Sequence, residues 1–272
     1  MSYKTFLFTA LVCLLSWCCV SCESNDPTKN GGGSATYVAK EFSVSANKQV
    51  VFSPGNLQYQ ASTDTWRFAE NQYDFLGAIN DKISTANENW IDLFGWGTGN
   101  NPTEVYAYMK TFVDWGRNVI GISSVNTWRT LTISEWEYIL ERRAGAEKKV
   151  GVGTVNGIHG LILLPDQWSL PVGCTFVPGY ESDLEWETNK YSTQKWQNME
   201  MNGAVFLPAA GVRDDDDSYH FEYHPLDEGY YWSSSYDSEY KAGYCIYFDY
   251  GIADWDGFDV NWGASVRLVQ DL

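Results

Sequence analysis

The chain has 272 residues, of which 35 are acidic and 18 basic, and its formal net charge is −17. A surface this acidic repels the phosphates of nucleic acids and of anionic lipid headgroups, so neither is an expected partner. Hydrophobic residues make up 44% of the sequence, and a chain of this length can bury a substantial core.

Residues 1–21 carry the pattern of a secretory signal. Lys4 precedes an apolar run at residues 6–15, which is shorter than the ~20 residues that a bilayer-spanning helix needs. Ser21 is small enough for cleavage after it, and residues 19–22 resemble the lipobox of bacterial lipoproteins. That resemblance implies that the signal is removed and that Cys22 carries a lipid. An ordinary cleaved signal with incidental cysteines is the alternative.

A flexible polar tether is expected over residues 22–36, because this segment contains an Asn-Asp-Pro turn and a Gly-Gly-Gly-Ser run. Residues 37–272 contain no convincing linker, so we expect one domain there. Two or more acyl chains would make attachment stable. The expected location is the cell envelope, in the outer membrane and facing the surface. The lipid anchor is the only expected contact with the membrane.

Short strand patterns recur along the chain, and helix patterns are few. Four early strands are predicted by apolar or alternating runs at residues 42–45, 50–53, 57–59 and 66–68. Five later strands are predicted at residues 160–165, 203–208, 229–233, 244–250 and 264–269. The expected fold class is α+β, with mostly antiparallel short strands, one or two helices and long loops.

The strongest helix pattern covers residues 133–143. Thr132 can cap this helix, and Glu135 stands three residues later as the partner of a capping box. Three residues share the apolar face of the helix: Trp136, Ile139 and Leu140. A second, poorer helix is predicted at either residues 104–110 or residues 193–201.

Residues 128–138 resemble the Arg-Leu-Pro-Thr-x-x-Glu-Trp-Glu-Tyr motif of the formylglycine-generating (sulfatase-modifying factor) family, with Thr-Leu-Thr here in place of Leu-Pro-Thr. The later order of motifs is similar to that of the major-paralogous-domain lipoproteins first named from Fibrobacter succinogenes. The five motifs are a helix with Trp-Arg and Glu-Trp, an apolar strand with Leu-Pro, a Tyr-Trp-Ser-Ser strand, a variable hairpin and a Ser-Val-Arg strand. They lie here at residues 128–138, 204–211, 231–234, 236–262 and 265–267. The resemblance covers about residues 128–272 and implies a C-type-lectin-like domain.

The formylglycine-generating family uses a pair of cysteines in its C-terminal region to activate oxygen. Beyond residue 22 this chain has only Cys174 and Cys245, so the local pair is absent and we expect no enzyme. An oxidising compartment would permit a disulfide between the two cysteines. Their distance does not follow from the sequence, so a disulfide and two isolated thiols both stay open.

Two motifs contain residue types that bind metals. His220 and His224 are four residues apart, but the acidic run before them and Pro225 after them predict a loop, and the spacing fixes no third ligand. The aspartates at 214–217 are consecutive, unlike the alternating ligands of a calcium loop. We therefore expect no metal and no cofactor. Some C-type-lectin-like domains hold calcium, so the resemblance leaves calcium open.

Residues 228–262 form an aromatic and acidic segment, with twelve aromatic and seven acidic residues. Antibody loops have a similar composition, because rigid aromatic side chains supply contact area and small polar residues supply hydrogen bonds. The segment also resembles the variable region of retroelement-diversified C-type-lectin-like proteins. The candidate ligand-binding residues are Tyr236, Tyr240, Tyr247, Asp249, Tyr250, Asp254, Trp255, Asp256, Phe258, Asp259, Asn261 and Trp262.

Alternation within this segment predicts which side chains are buried. The residues predicted to face the core are Tyr244, Ile246 and Phe248. The residues predicted to face outward are Cys245, Tyr247 and Asp249. Residues 254–259 are expected to form a loop. The aromatic residues expected to be exposed, because neighbouring aspartates resist burial, are Trp255, Phe258 and Trp262. Trp232 is expected inside, with its indole N–H on an acceptor.

These features favour a surface-exposed lipoprotein that binds a glycan or a cell-surface protein through its aromatic and acidic hairpin. The alternative is a structural or adhesin-type subunit of the envelope, whose partner would be another envelope protein. A formylglycine-generating-like oxidase is the third and least favoured function.

Overall fold

The fold is built from short strands joined by long loops. It is a computed structural model, and it describes residues 38–104, 111–179, 185–213, 226–250 and 252–272. All of them fall in one unit, Ala35–Leu272. The predicted signal, Cys22 and the tether lie outside the described residues. So do the aspartate run and both loop histidines.

Thirteen strands form within the described residues. In chain order they are β1 (Phe42–Ser45), β2 (Lys48–Phe52), β3 (Leu57–Gln60), β4 (Thr65–Phe68), β5 (Trp90–Ile91), β6 (Val150–Val155), β7 (Ile158–Leu163), β8 (Lys190–Tyr191), β9 (Val205–Pro208), β10 (Gly229–Asp237), β11 (Ala242–Phe248), β12 (Ala253–Asp259) and β13 (Val269–Asp271). Two α-helices, α1 (Ile133–Glu137) and α2 (Thr193–Met201), accompany them. Short 3₁₀ turns lie at Ala61–Thr63, Gly77–Lys82, Trp115–Arg117 and Ala146–Lys148.

The strands form four small sheets, with the orders β1-β2-β13, β4-β3-β5, β8-β6-β7-β9 and β10-β11-β12. All strand pairs are antiparallel except β6 with β8. The predicted class, α+β with mostly antiparallel short strands, is therefore confirmed. Within the described part of the chain, no helix has both the length and the apolar character needed to cross a bilayer.

Helix α1 begins as the sequence predicts. The Thr132 hydroxyl accepts a hydrogen bond from the Glu135 N–H at 3.2 Å, and the Glu135 carboxylate accepts one from the Thr132 N–H at 2.9 Å. This is the predicted capping box. The helix continues as a π-helical turn over Tyr138–Arg142, and Trp136 and Ile139 are fully buried. The second helix forms at Thr193–Met201, one of its two predicted places. The other place lies mostly outside the described residues.

The sheet β10-β11-β12 is covered on both faces, and this determines which side chains are buried. Ile246 and Phe248 join one core cluster, with Phe52 and Trp136. Cys245 and Trp232 join a second cluster on the opposite face of the sheet. The Trp232 indole N–H donates to the Phe94 carbonyl at 2.6 Å, as predicted. The prediction that Cys245 faces outward is wrong. Strand β11 is the central strand of this sheet, and since both of its faces are covered, neither is exposed to solvent.

Strand β6 has no counterpart in the sequence prediction. Its alternate glycines, Gly151 and Gly153, remove the side chains that make a strand pattern visible. Glycine is needed at both positions because other parts of the chain pass close to β6 there. A Cβ on Gly153 would lie 2.5 Å from the Asn189 carbonyl oxygen, and one on Gly151 would lie 2.9 Å from the Phe176 ring.

Candidate functional site

A depression of about 300 Å³ lies at the β10–β11 hairpin, within the segment that the sequence singles out. We call it the hairpin pocket. Its lining consists of Asp237, Tyr240, Ala242, Tyr244, Asp256 and Gly257. Tyr240 lies in the hairpin turn, and the other lining residues come from the three paired strands β10, β11 and β12.

Asp237 organises the turn that closes the hairpin. Its carboxylate accepts hydrogen bonds from the backbone N–H groups of Glu239 at 2.8 Å and Tyr240 at 3.0 Å, the arrangement of an Asx turn. The Tyr244 hydroxyl donates to the other carboxylate oxygen at 2.8 Å. These hydrogen bonds, the one from Tyr240 foremost, hold the pKa of Asp237 below its ordinary value. The same bond to Asp237 raises the pKa of Tyr244.

The chemistry that the pocket offers is aromatic and rich in acceptors. Tyr240 is 77% exposed and Tyr244 is half-buried, so both can present ring surface to a ligand. Asp256 uses one carboxylate oxygen to accept the Gly257 N–H at 2.7 Å. Among the described residues, the lining includes two carboxyl side chains and no lysine, arginine or histidine. Such a site suits groups that donate hydrogen bonds, such as sugar hydroxyls or a basic side chain.

Four aromatic side chains pack together on one face of the same sheet, and we call them the aromatic quartet: Tyr230, Tyr247, Phe258 and Trp262. Their ring centroids are 5.3 Å apart for Phe258 and Trp262, 5.5 Å for Tyr230 and Phe258, and 6.3 Å for Tyr230 and Tyr247. The quartet is half-buried and three of its members pack against the second core cluster. The prediction that Phe258 and Trp262 are exposed is therefore wrong.

Trp255 is also half-buried, but it packs against the first core cluster. The expected loop at 254–259 is the edge strand β12. Asp254 accepts the N–H of Trp255 at 2.8 Å, in the same way that Asp256 accepts the N–H of Gly257. These aspartates are satisfied locally by backbone amides. They therefore do not prevent the aromatic residues beside them from packing inward, which is why the exposure argument failed.

The twelve predicted site residues do not converge on one place. Only Tyr240 and Asp256 line the hairpin pocket. Tyr236 packs on Trp96, with ring centroids 5.1 Å apart, and Tyr250 is 57% exposed outside the pocket. Asp249 accepts the Ile252 N–H at 2.9 Å. Two further predicted residues also lie outside the pocket. Asp259 is exposed and Asn261 is half-buried.

Two pocket residues were missed from the sequence. Asp237 stands two residues before Glu239, the spacing of an Asx turn, and that signal could have identified it. Tyr244 was assigned to the core by alternation. The structure places it half-buried at the end of the sheet, with its hydroxyl on Asp237.

Cys174 and Cys245 are free thiols. Cys174 belongs to a third core cluster with Trp196 and Phe206, whereas Cys245 belongs to the second. Burial raises the pKa of the Cys245 thiol well above its ordinary value. The sequence left open a disulfide or two isolated thiols, and in the structure the two cysteines are isolated thiols. Within the described ranges, no group of three or more His, Cys, Asp or Glu side chains is placed to hold a metal ion.

Comparisons with known proteins add little to this geometry. No model of a known protein family matches the chain, and no solved structure matches it. A stretch of 114 residues is 28% identical to part of Toxin A of Clostridium novyi. It covers 39% of this chain but only 5% of that protein. The fold therefore defines the class, a mostly antiparallel α+β protein, and a similarity this partial assigns no family.

Proposed function

We propose that this protein is a binding module of the bacterial cell envelope and that its hairpin pocket holds the ligand. The observation that supports this most directly is the pocket lining of Tyr240, Tyr244 and two carboxyl groups. An exposed ring next to fixed acceptors can stack on the CH face of a sugar while the acceptors take hydroxyl hydrogens. The same arrangement can hold a basic side chain of a protein.

The aromatic quartet supports the proposal by making the hairpin rigid. Three of its rings pack against the second core cluster, and Tyr230, Tyr247 and Phe258 lie on three adjacent paired strands, so the sheet that carries the pocket is packed. A rigid site loses little conformational entropy when a ligand binds, and more of the contact energy then appears as affinity.

Kinship with C-type-lectin-like lipoproteins of the major-paralogous-domain type is part of the same proposal. Five sequence motifs carry the resemblance, and two features of the fold support it. The first and last described strands, β1 and β13, lie in one sheet on either side of β2. The variable hairpin forms a separate sheet. The signal pattern and Cys22 support the part of the proposal that gives this module a lipid anchor in the outer membrane, facing the surface.

The test is a binding screen of residues 23–272, which retain the whole described unit. The chain is presented to glycan arrays and cell-surface-protein arrays, with and without a calcium chelator. For any hit, Tyr240→Ala should weaken binding by about tenfold, the loss expected when one ring contact of roughly 1.4 kcal/mol is removed. Tyr250→Ala is the matched control, because it removes an exposed tyrosine outside the pocket.

Salt separates the two ligand classes. Binding of a neutral glycan should be nearly unchanged between low and 0.5 M salt, whereas a basic peptide held by Asp237 and Asp256 should bind much more weakly at high salt. If the Tyr240→Ala and Tyr250→Ala variants lose ligand affinity equally, or if neither loses any, the hairpin pocket is not the binding site.

A structural or adhesin-type envelope subunit is the second candidate, and one surface favours it. Val119, Ile122 and Val125 lie on one loop and are 55%, 106% and 54% exposed. Exposed apolar residues that cluster in this way often mark protein contacts. Crosslinking on intact cells would capture a stable envelope partner if this role is correct, and replacing all three residues with Ser should abolish that capture.

A further inference from the structure

A second cavity, of about 330 Å³, shares no lining residue with the hairpin pocket. We call it the polar cleft. It lies between the start of β4, the loop 99–103 and residues 117–118. The side chains that define its chemistry are Asp64, Trp66, Asn100, Asn101, Arg117 and Asn118. Its volume is at the lower end of the range for small-ligand sites.

The loop that forms one wall of the cleft is held in place by its neighbours. The Gly99 N–H donates to the Val113 carbonyl at 3.0 Å. The Asn118 amide donates to the Gly99 carbonyl at 2.7 Å and to the Trp115 carbonyl at 3.0 Å. A Cβ on Gly99 would lie only 2.4 Å from the Asp114 carbonyl oxygen, so this close approach requires glycine. The wall is therefore formed before any ligand arrives.

The floor of the cleft is aromatic. The Tyr59 and Trp66 rings lie 4.5 Å apart, centroid to centroid, and are nearly buried. The Tyr59 hydroxyl donates to one oxygen of Asp64 at 3.1 Å, which orients that carboxylate at the rim.

Several polar groups of the cleft have no partner among the residues that the structure describes. Both amide hydrogens of Asn118 are used, so its side-chain oxygen is left as an acceptor. Asp64 has a second carboxylate oxygen. Within the described ranges, the exposed side chains of Asn100 and Arg117 form no hydrogen bond or ion pair. The cleft thus combines one guanidinium group, amide groups and free acceptors above an aromatic floor.

We propose that the polar cleft binds an acidic sugar, a pyranose ring that carries one carboxylate. The Arg117 guanidinium would pair with the carboxylate, for which its planar, two-pronged geometry is suited. Asn100 would donate to ring hydroxyls, and Asn118 and Asp64 would accept from them. The net charge of −17 repels anions in general, so a ligand of this class needs the hydroxyl contacts as well as the arginine.

The test is a calorimetric titration of residues 23–272 with D-glucuronic acid, D-glucose and inorganic phosphate. Glucuronic acid should bind at least about tenfold more tightly than glucose, since a charged hydrogen-bonded pair contributes roughly that factor. Arg117→Gln should remove this preference. Arg142→Gln is the matched control, because Arg142 is a surface arginine paired with Glu137 and lies outside the cleft.

Three outcomes would overturn the proposal: equal binding of glucose and glucuronic acid, unchanged glucuronic acid binding in Arg117→Gln, or phosphate binding as tight as that of glucuronic acid. The last would leave only an anion site. Tyr240→Ala should leave glucuronic acid binding intact, so failure at the polar cleft and failure at the hairpin pocket are distinguishable.

Discussion

Asp92 shows how one buried carboxyl group sets a pH dependence. It is 1% exposed and accepts hydrogen bonds from the Leu76 N–H at 2.9 Å and the Asn80 amide at 2.8 Å. Burial outweighs these bonds and raises the pKa of Asp92 from 3.8 to about 6. The folded protein therefore binds this proton more tightly than the unfolded chain does. The associated stability is fully present below about pH 4 and is lost as the pH rises through 6.

We expect the free energy of unfolding to rise by about 2 kcal/mol from this group as the pH falls from 7 to 4.5. Denaturant unfolding of the native chain and of Asp92→Asn at pH 7, 5.5 and 4.5 measures it. The Asp92→Asn variant should be less stable overall, since a side-chain amide cannot accept from both the Leu76 N–H and the Asn80 amide. Its free energy of unfolding should not show the rise at low pH. Parallel curves for the two proteins would contradict the assignment. Glu135, Asp166 and Asp271, whose pKa values are lowered, oppose this trend as the pH falls towards and through their ordinary values of 4.5 and 3.8. The native chain and the variant share that opposing effect, so the difference between them reports on Asp92.

Single residues could be predicted from sequence where a local rule applies. The burial of Trp232 and the need of its indole for an acceptor follow from the side chain alone. The positions of Cys245 and Tyr244 do not. Alternation gives the two faces of a strand, but only the packing of other elements decides whether both faces are covered, as they are at Cys245.

At the level of elements, the capping box of α1 offers a direct test of a local prediction. Thr132→Ala should lower the free energy of unfolding by about 1 kcal/mol, because the Glu135 N–H loses its side-chain acceptor. Ser134→Ala is the control. Ser134 is exposed in the same helix, and its side chain forms no hydrogen bond with any residue that the structure describes. Urea unfolding followed by circular dichroism gives both values. Equal stability of the two variants would show that the box contributes nothing.

Elements with strong local signals were predicted, and elements made by distant contacts were not. The capping box of α1 is visible in the sequence, and that helix was found. Helix α2 has a weaker pattern and was predicted only as one of two places for a second helix. Strand β6 is glycine-rich because other backbone crosses it at Asn189, and β12 is acidic because its aspartates accept its own amides. The polar cleft was missed for the same reason: Asp64, Asn100 and Arg117 are far apart in sequence and carry no motif.

For the whole molecule, the two separated thiols give a simple chemical prediction. A chain of residues 23–272, unfolded without reductant, should react with two equivalents of a thiol reagent. In the native state the reaction should be slow, because Cys174 is 8% and Cys245 is 1% exposed. The same chain treated first with reductant is the control and should give the same count. A count near zero that rises to two after reduction would mean that the protein carries a disulfide.

The sheet β1-β2-β13 has a consequence for how the protein is made. Among the described residues, Val50–Phe52 pair with Val269–Asp271 at the far end of the chain, and Val50 also pairs with Phe42. On the ribosome, this early segment emerges long before its partner, so the edge of β2 stays open throughout most of synthesis. Contacts that join such distant parts of a chain form slowly. A delay of this kind leaves the early strand without its final neighbour until the last residues of the chain have been made.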